Sequence, residues 1–213
     1  MQRQKVDGTT CEIMIGQKET SGHWFFDLIT MFSPDLDHVR VKGTPEEMIT
    51  QAARETFAVS SAAGLVPGPL GLAAIIPELV SVTKIQLNLV YRIARYHGAE
   101  TGVDRTILLL VFGEALGLAV GKTLARQVGT RLVVRALETQ VARAVARKIG
   151  SRIVARAIRK SAARWIPVVA APILGAFSRA MTVRIGRQAE KVFSQGAVIE
   201  RLPKPTPGRA DGN

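Results

Sequence analysis

The side chains able to do chemistry are few and far apart in this 213-residue chain. Its three histidines, His23, His38 and His97, show none of the paired spacing that holds a metal ion. The single cysteine, Cys11, excludes an intramolecular disulfide and a cysteine-only metal cage, and it fits a reducing compartment. Asp35, Asp37 and His38 cluster after Pro34 in what reads as a solvated turn. There is no Gly-x-Ser-x-Gly elbow and no His-Glu-x-x-His pair. The nearest approach to a reactive motif is Gly117-Leu-Ala-Val-Gly121-Lys122-Thr123, which resembles a phosphate-binding loop. Its first glycine is one residue too close, and its flanks read as helix where the loop needs a preceding strand. Glu78 and Glu114 lie inside apolar segments, and the cost of an unpaired buried carboxylate predicts that each meets an Arg or Lys or faces water, with the ion pair favoured. The expectation is a non-enzymatic chain with no catalytic residues, no cofactor and no metal.

What the sequence offers instead is charge. The formal charge is +12 and the isoelectric point about 10.7, which calls for an anionic partner: nucleic acid, anionic lipid or an acidic protein. Twelve Lys and Arg fall between Lys122 and Arg164 with one acid, Glu138, so this stretch carries nearly all of the excess. Aromatic residues are only 5%, few for a protein that stacks bases.

The elements that would position these groups read as helices. Thr44-Pro45-Glu46-Glu47 is a start signal: Thr44 caps, Pro45 suits the first helical position and Glu47 completes a capping box, for a helix to about Ala63. After the Gly- and Pro-rich turn 64–71, a second long helix ends near His97 with Gly98 as left-handed cap. Asp104 caps a third, expected to run past Gly121. Along it Gly113, Gly117, Gly121, Ala125 and Gly129 recur every fourth position, a stripe that lets another backbone approach closely and offers a route to oligomers.

At a helical period Val133, Leu137, Val141, Ala144 and Val145 oppose Arg131, Arg135, Arg143 and Arg147. The phase breaks at Gly150-Ser151, after which Ile153, Val154, Ala157, Ile158 and Trp165 oppose Arg152, Arg156, Arg159 and Lys160. Two basic amphipathic helices are therefore expected. An apolar turn around Trp165-Ile166-Pro167 and a last helix over about 176–195 follow.

The fold expectation is all-α: a bundle of about six or seven helices with helical hairpins and no significant sheet. Residues 1–41 are expected to be weakly ordered, with an apolar patch from Trp24 to Phe32 able to dock as a short helix or strand. Residues 42–197 form the helical domain and the Pro-rich tail 198–213 is disordered by composition. No apolar stretch follows the basic N-terminus, so no secretory signal is expected. The apolar segments 57–77, 106–121 and 165–178 are each broken or too short for a clean span, and read as core, re-entrant hairpin or shallow insertion.

Two sets of motifs are familiar. Ile76-Pro77-Glu78-Leu79, Gln86 and Ile93-Ala94-Arg95-Tyr96-His97-Gly98 resemble the first half of the EcsC family. Ile166-Pro167-Val168-Val169-Ala170, Gly175-Ala176-Phe177, Thr182-Val183-Arg184-Ile185-Gly186, Ala189 and Phe193 resemble its C-terminal signature. The likeness covers about residues 44 to 197. Glu78 stands where the family often has Asp, and Ala170 and Ala171 where it has glycine. The resemblance implies a bacterial helical protein named for an ABC-transporter operon, similar to the hydrophobic helical domains fused to some dynamin-like and Era-like GTPases. It supplies no catalytic residues.

Together these readings predict a membrane-associated protein at the cytoplasmic face of the bacterial inner membrane, peripheral or partly inserted, that meets anionic lipid through its basic helices. The alternatives are a cytoplasmic adaptor for an acidic partner, such as a transporter subunit or GTPase, and a nucleic-acid binder. The low aromatic content and the lack of a helix-turn-helix signature weigh against the last.

Overall fold

A computed structural model describes residues 23–32, 39–66, 75–99, 103–161 and 167–200, of which the side chains of residues 23, 76, 122, 158–161 and 167–170 are left undescribed. The described residues are mostly helical, with six helices of nine or more residues, one four-residue helix and a small sheet. In chain order these are α1 (His23–Met31), α2 (Pro45–Gly64), α3 (Ile75–Tyr96), α4 (Arg105–Ala115), α5 (Gly121–Leu124), β1 (Ala125–Val128), β2 (Arg131–Arg135), α6 (Thr139–Ser161), α7 (Pro167–Ser194) and β3 (Val198–Glu200).

Local signals place the helix ends. The Thr44 hydroxyl accepts from the Glu47 amide, and the Glu47 carboxylate accepts from the Thr44 amide at 2.9 Å. Both sides of the capping box are present. The Asp104 carboxylate accepts from the Thr106 amide at 2.6 Å and starts α4. At the end of α3, Gly98 has a positive φ, its amide donates to the Arg95 carbonyl, and the Ala99 amide donates to Ala94, which is the two-bond glycine cap expected there.

The third expected helix does not continue. α4 stops at Ala115 because Gly117, with φ +68°, repeats the same cap: its amide donates to Glu114 and the Leu118 amide to Gly113. Residues 125–135, expected as basic helix, form a β-hairpin around Gly129-Thr130. The period there is two. Leu132 and Val134 point to the core while Arg131, Val133 and Arg135 point out, and Gly129, with φ +59°, turns the chain at the first central position of a two-residue loop. β3 joins β2 in parallel, pairing Val133, Val134 and Arg135 with Val198, Ile199 and Glu200. The sheet, absent from the expectation, needs this contact from the far end of the chain, so residues 198–200 belong to the fold and not to a tail.

The second correction concerns Gly150-Ser151, where the expected break between two helices does not occur. α6 runs unbroken from Thr139 to Ser161. Once residues 125–135 are strands, Ala142, Ala146, Ile149 and Ile153 keep a single phase across Gly150. From Pro167 on, the expected apolar turn is also helix, Trp165 and Ile166 lying outside the described residues: Pro167 opens α7, and Pro172 removes one backbone donor in its second turn without ending it. The apolar patch 24–32 docks as α1, with Phe25 fully buried against Phe112 of α4, the ring centroids 5.2 Å apart.

The core has α4 at its centre. Every residue from Thr106 to Gly113 is buried. The most extensive helix contact is between antiparallel α2 and α7, with α3 alongside, while α6 and the sheet close the opposite flank.

Candidate functional site

Two regions gather the residues that the sequence singled out. The first is a cationic face. On the sheet, cross-strand register puts Arg126, Val128, Arg131, Val133 and Arg135 on the outward side, with Val198 and Glu200 beside them on β3. All three arginines are exposed, as are Val128 and Val198. The three-residue link 136–138 leads into α6, whose outward side shows Arg147, Lys148 and Arg152. Among the described residues, none of these six cations has a carboxylate within ion-pair reach.

Two of the expected surface arginines have other duties. Arg143 is exposed, but its guanidinium stands 5.4 Å above the Phe26 ring and fastens α1 to α6. Arg156 is half-buried and turns inward, its Nη2 donating to the Leu116 carbonyl at 3.0 Å. A cation thus satisfies the C-terminus of α4. Arg156 is accordingly removed from the expected contact surface. The side chains of Arg159 and Lys160 lie outside the described residues. Arg126 was missed because its stretch read as helix, where it shares no face with Arg131; strand pairing brings them together.

The apolar side of α6, with Ala142, Ala146, Ile149 and Val154, is buried in the protein's own core. The helix is amphipathic, and its outward side carries the cations together with Val141 and Ala144, which the sequence had assigned to the apolar face and which are exposed.

The glycine stripe is dispersed. Gly113 lies in α4 and faces Val120, Gly117 caps that helix, Gly121 opens α5, Ala125 is in β1 and Gly129 is in the hairpin turn. A four-residue spacing makes one face only while the helix lasts. The resemblance to a phosphate loop dissolves for the same reason. The Gly121 amide, which would meet an anion in such a loop, donates to the Glu114 carboxylate. Glu114 therefore answers a backbone donor and not the cation expected for it.

The second region is a buried polar ladder between α2, α3 and α7. Thr56 and Thr182 share a hydrogen bond of 3.0 Å, Ser60 and Ser178 one of 2.6 Å, and Gln86 Nε2 donates to Thr182 Oγ1 at 3.1 Å. All five residues are buried. The small side chains let the helices touch, and glycines bring them closer. A Cβ on Gly186 would lie 2.5 Å from Ile49 Cγ1, one on Gly64 2.7 Å from the Ala171 Cα, and one on Gly175 would overlap Ser61 and Phe57. The close-packing role read for the 113–129 stripe thus falls to α7. The ladder hydroxyls were not recognised from sequence, although Thr56 and Ser60, like Ser178 and Thr182, stand four apart and share a face.

Of the remaining motif positions, Gln86 joins the ladder, Pro77 is exposed in the first turn of α3, Glu78 is half-buried and Tyr96 sits edge-on to His97. His97 Nε2 lies 2.9 Å from Glu190 and ties the end of α3 to α7. A crevice beside the ladder is lined by Leu79, Thr83, Gln86, Phe112, Arg156 and Ser178.

Among the described residues, no three His, Cys, Asp or Glu side chains converge on a point that could hold a metal ion. The Asp35, Asp37 and His38 cluster and Cys11 lie outside the described residues. No described helix is long and apolar enough to cross a membrane, and the apolar helix α4 is core. No family model, curated protein or solved structure matches the chain.

Proposed function

We propose that this chain is a non-enzymatic, membrane-associated helical protein of the EcsC type that meets anionic lipid at the cytoplasmic face of the bacterial inner membrane. The observation that carries the reading is a set of six exposed cations on the hairpin and α6 that have no ion-pair partner among the described residues: Arg126, Arg131, Arg135, Arg147, Lys148 and Arg152. Intramolecular pairing is the ordinary use of so much charge, and these side chains are not spent on it. Near an anionic leaflet each such cation contributes about 1 kcal/mol. With Ala142, Ala146, Ile149 and Val154 of α6 occupied by the core, contact through this face is chiefly electrostatic and screened over about 8 Å at physiological salt.

Vesicle flotation tests the reading. The protein is expected to float with vesicles containing phosphatidylglycerol, to stay behind with pure phosphatidylcholine, and to be released in part by salt. Replacing Arg131, Arg135 and Arg147 by Gln together removes about 3 kcal/mol, or roughly two orders of magnitude in affinity. A wild-type chain that never floats on anionic vesicles sinks the proposal. Retention by an acidic protein or a shift of duplex or single-stranded DNA would then move the assignment to an adaptor or a nucleic-acid binder.

A further inference from the structure

One end of the molecule lies apart from the hairpin arginines. The C-terminal half of α2 packs antiparallel on the N-terminal half of α7, where Gly64 meets Ala171 and Gly175 meets Phe57 and Ser61. The sequence carries no charge from Phe57 to Pro77, nor from Trp165 to Ser178. At this end apolar side chains face outward: Leu65 is 59% exposed, Ile173 41% and Phe57 36%. Exposed Ala58, Ala62, Pro172 and Ala176 lie between them. The first charges met on leaving this cap are exposed Arg54 and Glu55 on α2 and Arg179 on α7. The C-terminal half of α6 reaches the same end, since Val154 packs with Ile75 and Leu79 of α3, and it brings exposed Arg152. Half-buried Glu78 has its own partner.

An uncharged cap behind a rim in which cations outnumber exposed acids matches the layering of an anionic bilayer, with acyl chains inside and phosphates outside. The dimensions match as well. From Phe57 to Leu65 the helix rises about 12 Å, enough to pass the headgroups and far short of the ~30 Å hydrocarbon core. We propose that the uncharged α2–α7 end is a shallow insertion tip that enters the acyl-chain layer of an anionic membrane, with α6 lying along the headgroups. The inference rests on the membrane reading above and adds where the protein goes in. It assigns a purpose to apolar residues that the core leaves outside.

The test uses the full chain in a Cys11→Ser background, labelled with an environment-sensitive fluorophore at Leu65→Cys, at Ile173→Cys, or at Glu46→Cys. Glu46 lies at the other end of α2, about 28 Å along the helix. On phosphatidylglycerol-containing vesicles the labels at 65 and 173 are expected to shift to the blue and to be quenched by lipids brominated on their acyl chains, while the label at 46 stays in water. The unlabelled double variant Leu65→Glu/Ile173→Glu is expected to keep the wild-type melting temperature, to bind anionic vesicles about tenfold more weakly, and to be wholly released by salt. Wild-type flotation with unshifted labels at 65 and 173 overturns the tip and leaves the surface reading standing. A dimer that the double variant converts to monomer, with flotation unchanged, assigns the cap to a second copy and also overturns it. Absence of flotation by the wild type overturns both.

Discussion

The α2–α3–α7 half and the α6–sheet half of this protein handle polar side chains in opposite ways. In the first, hydroxyls and one carboxamide are buried and answer one another, Thr56 to Thr182, Ser60 to Ser178 and Gln86 to Thr182. In the second, Arg126, Arg131, Arg135, Arg147, Lys148 and Arg152 stand in solvent without a carboxylate. A buried hydroxyl without a partner costs about 1–3 kcal/mol, whereas an exposed cation costs almost nothing. Stability therefore resides mainly in the first half, and the electrostatic attraction to an anionic partner in the second. Substitutions should separate the two properties cleanly.

The largest effect is expected where α2 and α7 touch. Gly186→Leu drives a side chain into Ile49 and Leu89 and should lower the unfolding free energy by about 3 kcal/mol in urea titration. Next comes the ladder. Thr182→Val removes the partner of both Gln86 and Thr56 and should cost about 2 kcal/mol. The double variant Gln86→Leu/Thr182→Val should recover part of that loss, because one stranded amide goes with it; a strictly additive double would deny that the two are coupled. Smaller again, Gly117→Ala forces a Cβ into the left-handed region and should cost about 1 kcal/mol, with no change in oligomeric state by sedimentation. A shift in association by this variant would revive the stripe as a contact surface. Smallest is the triple Arg131→Gln/Arg135→Gln/Arg147→Gln, expected to stay within about 0.5 kcal/mol of wild type in stability while losing vesicle binding. If it unfolds the protein, the division between the two halves is wrong.

Much of the helical frame was legible in the sequence, and the reasons are local. A cap is decided by a few consecutive residues, so Thr44 with Glu47, Asp104 and Gly98 could be read without knowing the fold. The cationic face was legible only as composition. Charge density survives any change of secondary structure, but the grouping of arginines does not. Arg131 and Arg135 are neighbours on a helix and also on a strand. Arg126 joins them only when Gly129 turns the chain and β1 pairs with β2. Arg156 read as surface because its position on α6 said nothing of the Leu116 carbonyl forty residues earlier. The ladder escaped for the same reason: each of its bonds links helices distant in the chain.

By itself, then, the sequence determined a mostly helical chain, the caps that begin and end three of its helices, the concentration of positive charge after residue 121, and two long uncharged segments. Caps follow from short-range backbone hydrogen bonds, and charge follows from composition, so neither needs a partner from elsewhere. Only the tertiary structure decided that a glycine every four residues marks the end of a helix and a turn. It also decided that a strand from residues 198–200 completes a sheet, which arginines face water, and that the uncharged halves of α2 and α7 meet at one end. The last three are set by contacts between residues far apart in the chain; the glycine ends are local, but a local pattern compatible with two periods does not choose between them.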